Sequence, residues 1–150
     1  MPLYFASDHA AVNLKNHLLE ICPHQGHTVC DLTPEENPAT HYSEAADRVA
    51  DKLLGDNTAR DVGVLLCGTG QGTLMRANRH KGVRAALVAS EYHAEMARKH
   101  NDANIIVFGA RLTTPDMAQR YLDIFLRTEF EGGRHQPRVA SIDAPLNQTE

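Results

Sequence analysis

Short apolar runs alternate with amphipathic stretches along this chain, and each run ends in polar or glycine-rich residues. Leu3–Ala6 predicts a first strand, closed at once by Ser7, Asp8 and His9. Ala11, Leu14, Leu18 and Ile21 then recur at helical spacing, with Lys15 and Glu20 on the other side. Thr28–Leu32 predicts a second strand, entered through Gly26. Thr33–Thr40 (TPEENPAT) is rich in turn formers and predicts a surface loop leading to Tyr42. Ala46, Val49, Ala50 and Leu53 predict a helix over Ser43–Leu54, with Gly55 as its stop. Val62, Val64, Leu65 and Leu66 form a third strand that is apolar on both faces and ends in Cys67, and Thr73–Arg79 predicts the next helix. Arg84–Ala89 reads as a fourth strand, Glu91–Lys99 as a short helix, Asn104–Phe108 as a fifth strand, and Pro115–Arg127 as a helix carrying Met117, Tyr121, Ile124 and Phe125.

Strand and helix alternate five times. That rhythm predicts right-handed crossovers and a three-layer α/β/α sandwich around a five-stranded parallel sheet, Rossmann-like and of flavodoxin-type order. Ligands of such folds bind outside the carboxyl ends of the strands. Asp8–His9, Cys67–Gly72, Ser90–Glu91 and Gly109–Arg111 all follow strands, so one sheet edge would gather them. With 150 residues, the chain is expected to form a single domain over 1–150. Its segment 131–150 is a tail that could close over its own site or reach a partner subunit.

Charge and cysteine usage narrow the choice of partner. A formal charge of -4, built from mixed charges without a long block of one sign, gives no electrostatic argument for nucleic acid or a membrane surface. Small molecules are the expected ligands. Cys22, Cys30 and Cys67 form no C-x-x-C pair, which fits a reducing cytosol. The start, MPLYFASDH, carries no basic region followed by a long apolar segment, so a cytoplasmic location is expected. Nine histidines show no zinc-like spacing with cysteine, and no metal or cofactor is assigned.

The chemistry concentrates in Val62–Gly72 (VGVLLCGTGQG). A cysteine that ends a buried strand is ordinarily a small core residue. Here, however, Gly68, Gly70 and Gly72 follow it directly and let backbone N–H groups approach an anion, and a helix N-terminus next to the loop lowers a thiol pKa from about 8.5 toward neutrality. The spacing excludes a P-loop, which needs a lysine after the glycines, and a G-x-G-x-x-G fingerprint, which fails at its last glycine. It also excludes a cysteine phosphatase loop, since Thr73 stands where the arginine belongs. A generic oxyanion or phosphate cradle is left. Elsewhere, His100 at the end of a helix reads either as a favourably placed cation or as a site group. Arg111, Arg134 and Arg138 read as solvated arginines or, with His9 and His135, as a phosphomonoester clamp. Cys22 and Cys30 read as packing, and His17, His24, His27, His80 and His93 as surface residues.

Seven motifs occur in order: SDH at 7–9, CGTGQG at 67–72, AN at 77–78, GVRA at 82–85, KHNDAN at 99–104, FGAR at 108–111 and EGGRHQPRV at 131–139. In this combination the chain resembles the ribose-5-phosphate isomerase B family from Leu3 to about Ile142. The wider superfamily includes galactose-6-phosphate isomerase subunits and isomerases of other short sugar phosphates. The resemblance implies a cofactor-free aldose–ketose isomerase of the pentose phosphate pathway, most simply converting ribose 5-phosphate to ribulose 5-phosphate through an enediolate. It implies that Cys67 moves a proton between C1 and C2, while the amides of Gly68, Gly70 and Gly72, with Asn101, hold the oxyanion. His100, assisted by Thr69 or Asp8, would open the furanose ring. His9, Arg111, Arg134 and Arg138 would hold the phosphate, with His135 nearby and Tyr42 touching the sugar. It implies a homodimer or dimer of dimers whose sites are shared, with His100 and Arg111 acting on the neighbour's Cys67. Two departures stand out: His41-Tyr42-Ser43 replaces the Asp-Tyr-Pro of many relatives, and Thr73 stands where some relatives that lack the cysteine use a glutamate base. Isomerases of a tetrose or hexose phosphate, a non-catalytic sugar-phosphate sensor and a subunit needing a different homologous chain are the alternatives.

Overall fold

The computed structural model describes residues 1–34, 40–56 and 60–146. Most of the predicted loop, residues 35–39, lies outside the described residues, as do 57–59 and the end of the tail at 147–150. Five strands, β1 (Pro2–Ser7), β2 (Thr28–Asp31), β3 (Val62–Cys67), β4 (Ala85–Leu87) and β5 (Ile105–Gly109), form one parallel sheet. Helices α1 (Val12–Ile21), α2 (Tyr42–Asp56), α3 (Gln71–Ala77), α4 (Glu91–Lys99), α5 (Pro115–Arg127) and α6 (Gln136–Asp143) complete it, with short 3-10 turns at 9–11, 22–25 and 133–135.

Alternation along the strands sorts the core into two layers. Leu3, Phe5, Val64, Leu66, Ile106 and Phe108 face α1, α4 and α5, where Leu14, Leu18, Ala94, Leu122 and Phe125 meet them. Ala6, Leu65, Ile105 and Val107 face α2 and α3, against Ala46, Val49, Ala50 and Ala77. The α/β/α sandwich is thus as the sequence predicts. The strand order is not: it runs β2-β1-β3-β5-β4, whereas flavodoxin-type order ends β4-β5. The burial explains the exchange, because IIVFG of β5 is buried throughout and takes the interior place, while the three half-buried residues of β4 suit an edge.

Local corrections have similar causes. The α2 helix begins at Tyr42 and runs past Gly55, which therefore is no stop. The α3 helix begins two residues earlier than predicted, because Gly70 at φ 78° turns the chain into it directly. The tail is structured, with a 3-10 turn and then α6. Lys15, which the helical pattern places on the outer side, is fully buried, its Nζ donating to both Asp31 carboxylate oxygens at 2.9 and 3.0 Å and to the Thr33 carbonyl. The turns at the carboxyl edge are capped by side chains: Asp8 accepts from the Ala10 amide at 3.0 Å, Ser90 from His93 at 3.0 Å, and Thr114 from Met117 at 3.3 Å. Among the described residues, no helix is long and apolar enough to cross a membrane.

Candidate active site

Parallel pairing brings Asp8, Cys67 and Gly109 to one edge. Ser7 pairs with Leu66 and Cys67 with Gly109, and the Asp8 amide donates to the Leu66 carbonyl at 3.3 Å. Cys67 is 4 % exposed and shares its side of the sheet with Leu65, the side covered by α2 and α3. The loop after it is pressed onto β5. A Cβ on Gly109 would lie 2.6 Å from the Thr69 carbonyl carbon and oxygen, and one on Gly70 would lie 2.5 Å from Leu87 Cδ1. Gly109 therefore lets backbone meet backbone, while Gly68, Gly70 and Gly72 leave room for side chains, and the loop leaves the first amides of α3 without acceptors inside the helix.

Four predicted residues, Arg111, Tyr42, His9 and Asp8, stand around this loop. The Arg111 guanidinium lies against Gly68, 3.0 Å from where a Cβ would stand, and the Arg111 amide donates to the Gly68 carbonyl at 2.9 Å. Tyr42 lays its ring against Gly72, 2.7 Å from the corresponding position, while the buried Thr73 hydroxyl donates to the Tyr42 carbonyl at 3.2 Å. His9 and Thr69 are exposed beside the loop, and Asp8 is buried beneath it. Arg111 thus belongs with its own chain's Cys67. The expectation that it acts on a neighbour's cysteine is corrected by its position two residues beyond Gly109, in direct register with that cysteine.

The remaining predicted residues are elsewhere. The α4 helix descends from the carboxyl edge, so His100 and Asn101, at its far end, lie at the amino edge just before β5. Strand β5, at five residues, puts roughly 15 Å between that edge and Cys67. Arg134, His135 and Arg138 go with His100. The Glu131 amide donates to the Lys99 carbonyl at 3.1 Å, and the His135 ring stacks on His100 with 4.2 Å between centroids and 15° between planes. The described part of the tail, residues 131–146, therefore does not close over its own Cys67. His135 is 4 % exposed, and burial, followed by the charges of His100, Arg134 and Arg138, pushes its imidazole pKa below the usual range against the pull of Glu131. The corner is fixed by Asp102, at φ 47° and held by Arg98 Nη1 at 2.9 Å, and by Arg84, which donates to Asp143 at 2.7 Å.

Two grooves, of about 590 and 760 Å³, open near this amino edge and not at Cys67; Arg84 lines both, and Asn101 the first. Sequence reading also missed that His100 converges with Glu131 and His135, since His100 is far from that pair in the chain and only the ring stack and the Glu131 amide's bond to Lys99 join them. Cys22 is packing as predicted: burial pushes its thiol up to about 11, with Asp123 adding to the effect. Of the histidines read as surface residues, His24 and His93 are exposed, whereas His17 and His27 each bury a ring nitrogen and His80 bonds to Asp47 at 2.7 Å.

A parallel α/β sheet with a cysteine, a glycine-rich turn and arginine at its carboxyl edge describes a class of enzyme that acts on small anionic substrates. Comparison narrows the class. Residues 3–142 match the ribose/galactose isomerase family. The chain is 41 % identical over 149 residues to the probable ribose-5-phosphate isomerase B of Mycoplasma genitalium, covering 99 % of this chain and 97 % of that one. It is 37 % identical to the D-erythrulose-4-phosphate isomerase of Pectobacterium atrosepticum, covering 95 % and 93 %. The crystal structure of ribose-5-phosphate isomerase B from Mycoplasma genitalium with bound ribulose-5-phosphate superposes with a TM-score of 0.88 at 40 % identity, covering 95 % of this chain and 93 % of that one. The chain belongs to the ribose/galactose isomerase family and is an aldose–ketose isomerase.

Proposed function

We propose that this chain interconverts ribose 5-phosphate and ribulose 5-phosphate at a site assembled from the carboxyl edge of one subunit and the amino edge of another. The observation that carries this reading is the division of the predicted site into two separated halves. Cys67, Thr69, Asp8, His9, Tyr42 and Arg111 stand at one edge, and His100, Asn101, Arg134, His135 and Arg138 at the other. Two copies placed edge to edge, with twofold symmetry, would form two complete sites.

The chemistry follows from the groups available. His100, with Thr69 or Asp8, would pass a proton to the ring oxygen as the furanose opens. Cys67, as a thiolate, would take the proton from one carbon and return it to the next, and the negative charge would develop on the neighbouring oxygen. Amides of the Gly68–Gly72 loop, with Asn101 of the second subunit, aim donors at that oxygen; one such donor is worth about 3 kcal/mol in comparable sites. Arginines and His9, several carbons away, would grip the phosphate and orient the open chain. No cofactor enters these steps.

Proton NMR of the protein with ribose 5-phosphate in heavy water tests the reading. Ribulose 5-phosphate should form with deuterium at C1, and the ribose 5-phosphate in equilibrium with it should gain deuterium at C2, whereas Cys67→Ala should do neither while still binding phosphate. A wild-type protein inert to ribose 5-phosphate but active on erythrulose 4-phosphate would replace the substrate and keep the mechanism; the relative that acts on the tetrose phosphate and the His41-Tyr42-Ser43 departure make that the second substrate to try.

A further inference from the structure

We propose that His100, Glu131 and His135 form a binding site for a borderline divalent cation of the zinc type, and that the bound cation inhibits the isomerase by holding the His100 imidazole. One ligand atom from each side chain lies within 4.8 Å of the other two, and this is the one such grouping among the described residues. A second observation points the same way. His135 Nε2 is buried without a hydrogen-bond partner, on a side chain that is 4 % exposed, and it lies 3.7 Å from Glu131 Oε2. A buried nitrogen left alone is costly, and a ligand that accepts its lone pair removes the cost.

The geometry is close to what zinc requires. Bonds of about 2.0–2.1 Å in a tetrahedral site set ligand atoms roughly 3.4 Å apart, so the group needs to close by about 1 Å. His135 is the fixed member, held by its burial and by its amide's bond to the Gly132 carbonyl at 2.9 Å. Glu131, with a side chain 47 % exposed, and the half-buried His100 can swing toward it. His100 must also turn its ring out of the parallel stack to aim a nitrogen at the ion. Two imidazoles and one carboxylate form a donor set that leaves a fourth position open, and imidazole favours zinc or cobalt over magnesium or calcium. The neighbouring Arg134 and Arg138 oppose a cation that brings only charge, which sharpens that preference. Binding stands on this geometry alone, whereas the inhibition rests on the proposed ring-opening role of His100.

Cobalt(II) titration of the full chain tests the site, read by the visible d–d absorption of tetrahedral cobalt and by its displacement with zinc. Wild type and Cys67→Ala should both develop the band without a thiolate-to-cobalt charge-transfer transition. Glu131→Gln, an exposed change, should weaken binding by roughly 10- to 100-fold or more, since even indirect contacts to a metal are worth that. It should raise the zinc concentration that inhibits the isomerase by the same factor and leave zinc-free activity unchanged. Absence of the band, its loss in Cys67→Ala, or unaltered cobalt affinity in Glu131→Gln would overturn the proposal. A protein that binds cobalt as described but converts no sugar phosphate would sink the isomerase reading and leave the metal site standing.

Discussion

The two edges of the sheet are built by different means. At the carboxyl edge glycines let neighbours close in on the backbone: Gly109 meets the Thr69 backbone, Gly70 the Leu87 side chain, and Gly68 and Gly72 the Arg111 and Tyr42 side chains. At the amino edge side chains do the fixing: Arg98 holds Asp102, Arg84 holds Asp143, and two imidazoles stack. The first edge offers amides and a thiol, suited to a base and an oxyanion cradle, and the second offers imidazole and guanidinium, suited to proton transfer and phosphate. The carboxyl edge also carries His9 and Arg111, so the thiol and the glycine-loop amides are what set it apart. A chain that keeps them apart along the whole of β5 fits the proposal that two subunits share each site.

Perturbing one edge at a time sharpens this comparison. Cys67→Ala should lower turnover by about 10²–10⁴, the range for removing a general base, with the melting temperature little changed; steady-state kinetics beside thermal unfolding decide it. Lys15→Met should act on stability, by about 3 kcal/mol in denaturant unfolding. That is the lower end for breaking a buried ion pair, because Asp31 remains 25 % exposed. Gly109→Ala should cost roughly 1–3 kcal/mol and reduce activity with it, since the new methyl would displace the Thr69 carbonyl; a comparable change at the side-chain-built edge would leave the Cys67 loop in place.

The smallest effect concerns pH. The hydrogen bond from Arg76 holds the Asp47 carboxyl below the usual carboxylate range, with His80 helping against burial. A folded pKa below the unfolded one means that Asp47 stabilises the α2–α3 seam above about pH 4 and loses that contribution as pH falls through the folded value. Melting temperatures of wild type and Asp47→Asn should therefore differ at neutral pH and converge in acid.

Much of this was legible in the sequence, for identifiable reasons. Short apolar runs, and helical stripes between them, mark all five strands and the layers on both faces. Cys67 and its glycines announced themselves because only a close backbone approach calls for glycine at such spacing. The order of β4 and β5 was not legible, since it depends on how deeply two similar runs are buried. Lys15 was misplaced because a lysine on a helix reads as solvated until the carboxylate that meets it, Asp31 on another element, is in position. His135 stacking on His100 is a long-range consequence of α5 returning the chain to the amino edge, and Arg111 lies on its own chain's loop because β3 and β5 pair with Cys67 opposite Gly109. Motifs named both halves of the site; only the topology showed that they belong to opposite edges.

Complementation between two inactive chains tests that central claim most directly. Cys67→Ala and His100→Asn are purified separately, unfolded, mixed in equal amounts and refolded together, and the isomerase rate is compared with each variant refolded alone. A shared site predicts about a quarter of the wild-type rate, because half of the dimers are mixed and one of their two sites is intact. A mixture no more active than its components would contradict it.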